Sequence, residues 1–227
     1  MKKLFLAALL VFALTMPAFA GDSGFYMGLK LLDSYQSTGN VSTHGGAVHF
    51  SPSNHSQNTL GGAIALGYDF YPKGNMPIRA EIEYALRSAV NSDYDGKGNL
   101  AGRMNLKGEY TMHTLFANAY YDFHNSTDFT PYIGGGLGLA IIKSKYELEL
   151  YTANGGSDSY NETATTLAYN LGCGFSYDFT DTITGDFAYR FVGTGYHETD
   201  KSLYGQKIGI GMANYANEFS VGLRFNF

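Results

Sequence analysis

The stretch NEFSVGLRFNF, residues 217–227, decides the fold, because its side chains alternate between polar and apolar up to the last position. Successive side chains of a β-strand point to opposite faces of a sheet, so this alternation predicts a strand with one apolar face. The opposite face carries Glu218, Arg224 and small or polar residues. The apolar face consists of Phe219, Val221, Leu223, Phe225 and Phe227.

The side chains of this strand are distributed in the opposite way to those of a soluble barrel, whose apolar residues lie inside. Large apolar residues on one face and charged or small residues on the other are typical of a transmembrane β-barrel, which is apolar outside and polar within. The sequence therefore predicts an all-β protein with lipid as the solvent of its outer surface.

The C-terminal strand also resembles a known targeting signal. A closing strand of alternating hydrophobic residues that ends on a C-terminal Phe, here Phe227, is similar to the β-signal of Gram-negative outer-membrane barrels. The resemblance implies that the barrel assembly machinery of the outer membrane recognises Phe219, Val221, Leu223, Phe225 and Phe227 and inserts the protein.

The N-terminus, residues 1–20, has the three parts of a secretory signal peptide. Lys2 and Lys3 precede an apolar segment, and Ala18-Phe19-Ala20 forms a small-x-small cleavage site. The apolar run is shorter than the ~20 residues that a membrane-spanning helix needs. We therefore predict a cleaved signal peptide over 1–20 and one barrel domain over 21–227.

The composition of the mature chain argues against several classes of partner. Removing Lys2 and Lys3 from fifteen basic residues leaves thirteen against twenty acidic ones, a net charge of −7 with His neutral. This balance argues against nucleic-acid binding and against a polybasic lipid-binding surface. The single cysteine, Cys173, cannot form an internal disulfide, and we interpret it as a small apolar side chain on the outer face of its strand.

A repeated triplet marks the strand ends. Tyr68-Asp69-Phe70, Tyr121-Asp122-Phe123 and Tyr177-Asp178-Phe179 each close an alternating run, and Phe225-Asn226-Phe227 is a fourth variant. The copies are 53, 56 and 48 residues apart, which fits one hairpin plus one long connection per repeat. In each triplet two aromatic side chains would face the periplasmic membrane interface and one polar side chain would face the barrel interior.

Alternating runs and turn residues together predict an eight-stranded antiparallel transmembrane β-barrel. Long segments at 34–58, 88–108, 143–163 and 193–215 alternate with short turns at 71–77, 124–131 and 180–182, so we expect four extracellular loops and short periplasmic turns. The predicted strands are 25–32, 60–70, 78–87, 110–123, 132–142, 165–179, 183–191 and 217–227.

With this layout the chain resembles the OmpA-like outer-membrane barrel superfamily, in its opacity-protein and surface-antigen branch, often called porin family proteins. The residues that carry the resemblance are Asn118–Phe123, Thr130–Gly138 and the Phe227 end. These motifs identify a fold, and imply a Gram-negative outer-membrane protein without identifying its activity.

Charged residues on the predicted inner face could pair across the lumen. An eight-stranded barrel is only wide enough for its interior to be filled by side chains, so we predict a salt-bridged plug without an open pore, with a proton or ion path as the alternative. The predicted lumen charges are Lys30, Asp69, Arg79, Glu81, Glu83, Arg87, Asp122, Asp178, Asp186, Arg190, Glu218 and Arg224.

Neither a metal site nor a catalytic site stands out, and no cofactor is predicted. His44, His49 and His55 lie in the first long segment at spacings that match no tight ligand pattern. His49-Phe50-Ser51 resembles the His-x-Ser of a lipid A deacylase but lies in a Gly- and Ser-rich segment. The glycine-rich run 134–138 lacks the Lys-Ser/Thr of a phosphate-binding loop.

The predicted function is that of a monomeric, surface-exposed envelope protein that contacts outer-membrane lipid. Its long segments are rich in Tyr, Gly, Asn and Ser, a composition that suits adhesion to host or environmental ligands. A narrow diffusion channel and a lipid A-modifying enzyme are the alternatives from other functional classes.

Overall fold

The computed structural model describes residues 23–44, 56–97, 103–151, 156–195, 197–203 and 206–227. The predicted signal peptide, His49, Ser51 and His55 lie outside the described residues. β-strands account for nearly all of the described chain, and among the described residues no helix combines the length and the apolar character that crossing a membrane requires.

The strands follow one another along the chain and are joined on one side by short connections. A single-turn helix, α1 (Tyr71–Gly74), connects the second strand to the third. The strands are β1 Phe25–His44, β2 Ser56–Asp69, β3 Ile78–Arg87, β4 Val90–Lys97, β5 Arg103–Asp122, β6 Phe129–Tyr151, β7 Gly156–Thr180, β8 Ile183–Thr194, β9 His197–Leu203 and β10 Gln206–Asn226.

Eight of these strands form a closed ring. Each pairs antiparallel with its neighbours in the order β1, β2, β3, β5, β6, β7, β8, β10, and β10 pairs with β1 to complete the barrel. The short strands β4 and β9 pair with β5 and β10, above the ends of β3 and β8. The predicted eight-stranded antiparallel barrel is confirmed, and ring closure leaves no free sheet edge at the level of the barrel wall.

The predicted alternation of faces is confirmed most clearly on β3. Its ten residues alternate without exception between exposed and buried side chains, with Ile82 exposed and Glu83 buried. The face assignment of β5 is also confirmed, because Leu115 and Tyr121 are exposed while Asn118 and Asp122 are buried. Apolar side chains therefore cover the outside of the barrel and charged ones lie within it.

The four long segments differ from the prediction. Their described residues are largely strand, since β1 continues to His44, β6 to Tyr151 and β7 begins at Gly156. The predicted boundaries at 32, 142 and 165 were wrong because they were placed where the large outward hydrophobic residues end. Hydrogen bonding between strands continues past that point, where both faces of the sheet can be polar.

Candidate functional site

The barrel interior contains a connected cluster of ionised side chains from β1, β3, β5, β8 and β10, and Glu83 is at its centre. Glu83 is fully buried and accepts hydrogen bonds from Lys30 Nζ at 2.7 Å and from Arg190 Nη1 at 2.5 Å. Lys30 also donates to Glu81 Oε1 at 2.7 Å. Strands β1, β3 and β8 are thereby tied together across the lumen.

Glu218 occupies the equivalent position on β10. Its two carboxylate oxygens accept hydrogen bonds from Arg87 Nε at 2.5 Å and from Arg190 Nε at 2.8 Å, and Ser34 Oγ donates at 2.9 Å. Arg190 therefore bridges Glu83 and Glu218, which lie on opposite parts of the barrel wall. A charge with no access to water must be matched by an opposite charge and by hydrogen bonds, and both acids meet this condition.

A second group of ion pairs lies towards the turn side of the barrel. Arg79 donates to Asp122 through Nε at 2.6 Å and Nη2 at 3.0 Å, a bidentate contact. Its guanidinium carbon lies 4.8 Å from the ring centre of Tyr120 and 4.9 Å from that of Tyr132. The two aromatic rings flank the cation and separate it from solvent.

Asp186 completes the set of buried acids. It accepts a short hydrogen bond from the Tyr132 hydroxyl, and Arg224 Nε lies 3.1 Å from its Oδ2, an ion pair without hydrogen-bond geometry. Arg224 also lies over the ring of Tyr26, whose hydroxyl donates to Glu81 Oε2 at 3.0 Å. The tyrosines thus join ion pairs that would otherwise be separate.

Of the twelve predicted lumen charges, the structure brings ten together. Asp69 and Asp178 lie at the turn-side rim instead, where Asp69 accepts from the Tyr71 backbone N–H and Asp178 accepts from Thr184. The remaining charges are five basic and five acidic, so the described part of the interior is electrically balanced. They are Lys30, Arg79, Arg87, Arg190 and Arg224 against Glu81, Glu83, Asp122, Asp186 and Glu218.

An apolar layer also lies inside the barrel, which the sequence analysis did not predict. Phe116 is its largest member, and the Arg190 guanidinium lies 5.8 Å from its ring centre. The pairs Arg190↔Glu218 and Val192↔Ala216 are successive inward positions of β8 and β10, so the layer begins directly above the ion pairs. Its members are Met112, Phe116, Ala140, Ile142, Ala168, Val192 and Ala216.

Little free space remains among these side chains. A cavity of about 30 Å³ beside Lys30, Glu83 and Arg190 has room for only a few water molecules. Glycines of β6 account for the close packing, since a Cβ atom at Gly134 would overlap the Tyr120 ring and one at Gly138 would lie 2.8 Å from the Phe116 ring. Side chains therefore occupy most of the described space around this cavity.

Tyr132, which is buried, and Tyr120, which is half-buried, belong to the interior cluster, where the sequence did not predict them. The signal was present in the alternation, because Tyr120 shares its phase with Asn118 and Asp122, and Tyr132 shares its phase with Gly134. Both were overlooked because tyrosine is also the residue expected at the membrane interface.

The outer face presents the residues proposed as the assembly signal. Phe219, Val221 and Leu223 are exposed, and Phe225 and Phe227 are partly exposed at the turn side. Cys173 is exposed on the same outer surface, as predicted from its position in β7. Recognition by the assembly machinery stays a prediction.

The three histidines of the first long segment lie at the end of the described part of β1 or outside the described residues. His49 and His55 lie outside the described residues, and His44 is described only as a backbone position at the end of β1. Within the described residues, no three His, Cys, Asp or Glu side chains are arranged to hold a metal ion.

Sequence comparisons agree with the architecture. Outer membrane protein PagN of Salmonella typhimurium is 29% identical over 187 residues, which cover 79% of this chain and 77% of PagN. A proposed adhesin of Rickettsia canadensis is 29% identical over 118 residues, 51% of each chain, so the match spans about half the length of that relative.

The solved structures share less sequence identity with this chain. Neisserial surface protein A has 18% identity and a TM-score of 0.46, with 90% of this chain and 98% of that chain covered. OprG of Pseudomonas aeruginosa has 16% identity and a TM-score of 0.48, with 90% and 97% covered. The family model described as "Outer membrane protein beta-barrel domain" matches residues 6–227, and the chain therefore belongs to this family of Gram-negative outer-membrane proteins.

Proposed function

We propose that this protein is a monomeric surface protein whose barrel anchors a rigid β-sheet above the outer membrane, where the sheet adheres to host or environmental ligands. The observation that carries the proposal is strand length. Strands β5, β6 and β7 have 20, 23 and 25 residues, about twice the 9–11 that cross a bilayer. At roughly 3.3 Å per residue, ten further residues extend the sheet by about 30 Å along the strands.

The extension is paired over its whole described length. The β5–β6 register runs up to Arg103↔Tyr151, and the β6–β7 register runs up to Leu150↔Gly156. Three hydrogen-bonded strands therefore rise together on one side of the barrel. A preformed sheet loses less conformational freedom on binding than a disordered loop does, which favours a contact function.

The relatives support the proposal at a coarse level. The Rickettsia canadensis relative named as a proposed adhesin shares about half of its length with this chain. PagN supports the outer-membrane location, and its name specifies no ligand. Attachment of cells that carry the protein to whole surfaces should therefore be measured before binding to single molecules is tested.

The test is to shorten the extension without altering the barrel. Replacing residues 147–159 with Asn-Gly makes the register pair Tyr146↔Tyr160 the last pair before a two-residue hairpin turn. Gram-negative cells that do not otherwise adhere would express either form, and their attachment to epithelial monolayers and to extracellular-matrix coatings would be counted. We expect attachment by the full-length protein and a fall to the empty-vector level for the shortened form.

Two controls make the result interpretable. Heat-modifiable gel migration must show that the shortened barrel folds, and surface labelling must show equal amounts of both forms. Attachment that is unchanged after shortening, or that is absent for the full-length protein on every surface, would overturn the adhesion proposal.

We further propose that the protein has no enzymatic activity. If His49 and Ser51 acted as in a lipid A deacylase, cells expressing the protein would contain lipid A of changed mass, and the His49→Ala variant would restore the original mass. An unchanged lipid A mass spectrum is the result we expect.

A further inference from the structure

The outward side chains of the barrel strands change from apolar to polar towards the extracellular end. On β6 the outward row runs Leu137, Leu139, Ile141, Lys143 and Lys145, so two cations directly follow the apolar section. This step marks the boundary between acyl chains and head groups. On each strand the step separates the last outward apolar residue from the first outward polar one. The two residues are Leu31 and Asp33 on β1, Leu60 and Asn58 on β2, Leu86 and Ser88 at the end of β3, Leu115 and His113 on β5, Ile141 and Lys143 on β6, Leu167 and Thr165 on β7, and Phe219 and Asn217 on β10.

The described positive charges at this boundary lie on one side of the barrel. Among the side chains that the structure describes, Lys143 and Lys145 are the only lysines or arginines that point outward at this level. The first outward polar residue of β1 is Asp33, and β1 lies four strands from β6 in either direction around the ring. The boundary therefore has a positive side at β5–β6 and a negative side at β1.

One further polar side chain interacts with Lys143, and a second is hydrogen-bonded to the first. His113 on β5 lies close enough to Lys143 for a direct electrostatic interaction, and its Nδ1 is 3.0 Å from the Tyr84 hydroxyl on β3. Glu109 is the register partner of Lys145, and in the sequence the next residue in the same phase of β6 is Glu147. We call Tyr84, His113, Lys143 and Lys145 the cationic patch. The register partners of Lys143 are Thr111 and Thr163, which are both uncharged, so the patch keeps the positive charge of Lys143.

The surface directly below the cationic patch suits acyl chains. Leu137 is 73% exposed, and Leu115 and Leu139 are exposed beside it. Ala117 pairs with Leu137 and leaves a shallow area between the larger side chains. A molecule that occupies both surfaces must carry an anionic group on top of apolar chains.

We propose that the cationic patch binds the phosphate group of an anionic glycolipid of the outer leaflet, the phosphorylated lipid A class, with its acyl chains on Leu115, Leu137 and Leu139. Lysine ammonium groups donate charge-assisted hydrogen bonds to phosphate oxygens, and basic side chains at a membrane surface attract anionic head groups. The Tyr84 hydroxyl and the His113 ring supply polar contacts at the same level. This lipid site is independent of the adhesion function proposed above.

Binding to the refolded full-length chain in neutral detergent tests the proposal, with native mass spectrometry as the readout. The probes are bisphosphorylated lipid A, fully dephosphorylated lipid A and inorganic phosphate. We expect at least tenfold tighter binding of the phosphorylated lipid than of the dephosphorylated one. Lys143→Gln should weaken phosphorylated lipid binding about fivefold, and adding Lys145→Gln should weaken it further, as expected for about 1 kcal/mol per basic residue.

The matched control is Lys73→Gln, which removes an exposed lysine in α1 on the opposite side of the membrane. It should bind phosphorylated lipid A as the unchanged protein does. Heat-modifiable migration must show that every variant folds. Equal binding of the two lipids, or equal binding by Lys143→Gln and Lys73→Gln, would overturn the proposal. Displacement of the lipid by millimolar inorganic phosphate would also overturn it, in favour of a free-phosphate site.

Discussion

Arg190 shows how single residues hold the interior together. Its guanidinium bridges the carboxylates of Glu83 and Glu218, and Glu218 in turn binds Arg87. Removing one member of such a group leaves an opposite charge buried without a partner, which costs more than the pair itself contributes to stability. The acids that bridge two cations should therefore be the most sensitive positions of the lumen.

Glu218→Gln should lower the free energy of unfolding by about 3 kcal/mol, because Arg87 and Arg190 would lose the charge that balances them. Urea titration of the protein refolded in lipid vesicles measures the change. The control is Asp178→Asn at the exposed rim, where we expect a change within about 0.5 kcal/mol. Equal stability of the two variants would contradict the bridging role of Glu218.

Gly134→Ala should lower the free energy of unfolding by about 1–3 kcal/mol, because the added methyl group would overlap the Tyr120 ring and lie 2.8 Å from the Ala119 carbonyl oxygen. Gly28→Ala is the matched control in the same lumen, since its nearest neighbour would be at 3.4 Å, an ordinary contact. The same vesicle titration applies. A Gly134→Ala barrel as stable as the Gly28→Ala barrel would show that Tyr120 can move aside at little cost.

The strands, taken as elements, each carry an apolar outer section followed by a polar one. β7 shows both on a single face, with Leu171 69% exposed in the apolar section and Thr163 exposed above it. The cost of placing a charge on this face should depend on depth in the bilayer, because lipid solvates charge poorly only in the hydrocarbon core.

Leu171→Arg should therefore lower the free energy of unfolding in vesicles by about 2–4 kcal/mol, whereas Thr163→Arg on the same strand and face should change it by about 0–1 kcal/mol. Both variants add the same side chain to β7, so their difference isolates the effect of depth. A Thr163→Arg variant as costly as Leu171→Arg would place the upper membrane boundary above residue 163.

Strand boundaries show how well a local sequence pattern predicts where an element begins and ends. β3 matched its predicted range, Ile78–Arg87, because its alternation is complete and it ends where the hydrophobic row ends. β6 continues past its predicted end at Ile142. In this continuation Tyr146, Leu148 and Leu150 alternate in the sequence with Glu147 and Glu149, as is typical of a strand. The predicted end was wrong because it was placed at the last large hydrophobic residue of the membrane crossing, whereas the strand continues above the membrane.

The whole molecule is a closed ring with a neutral, side-chain-filled interior. Closure through β1 and β10 brings Ser34 next to Glu218, two residues 184 positions apart in the chain. The interior combines ten paired charges with an apolar layer above them. An ion crossing the barrel would have to displace both layers, so the molecule as a whole should be a poor channel.

Planar bilayers containing the refolded protein should show no reproducible single-channel steps at moderate voltage, because an ion would have to displace the Arg190 ion pairs and the apolar layer above them. A mock preparation refolded without protein sets the background, and an established porin sets the positive signal. Reproducible steps of one size would support the diffusion-channel alternative and would require Arg190 or its partners to move.

The sequence by itself determined the strand character, the outward and inward faces, the family and the membrane location. These depend on side-chain alternation, which is local and repeats every two residues. Only the tertiary structure decided which charges pair, because Lys30 meets Glu81 and Glu83, and Arg190 meets Glu83 and Glu218, across a lumen that exists only after ring closure. It also decided the length of β1 and β7 above the membrane, since inter-strand hydrogen bonds extend these strands where no row of large hydrophobic residues marks them in the sequence.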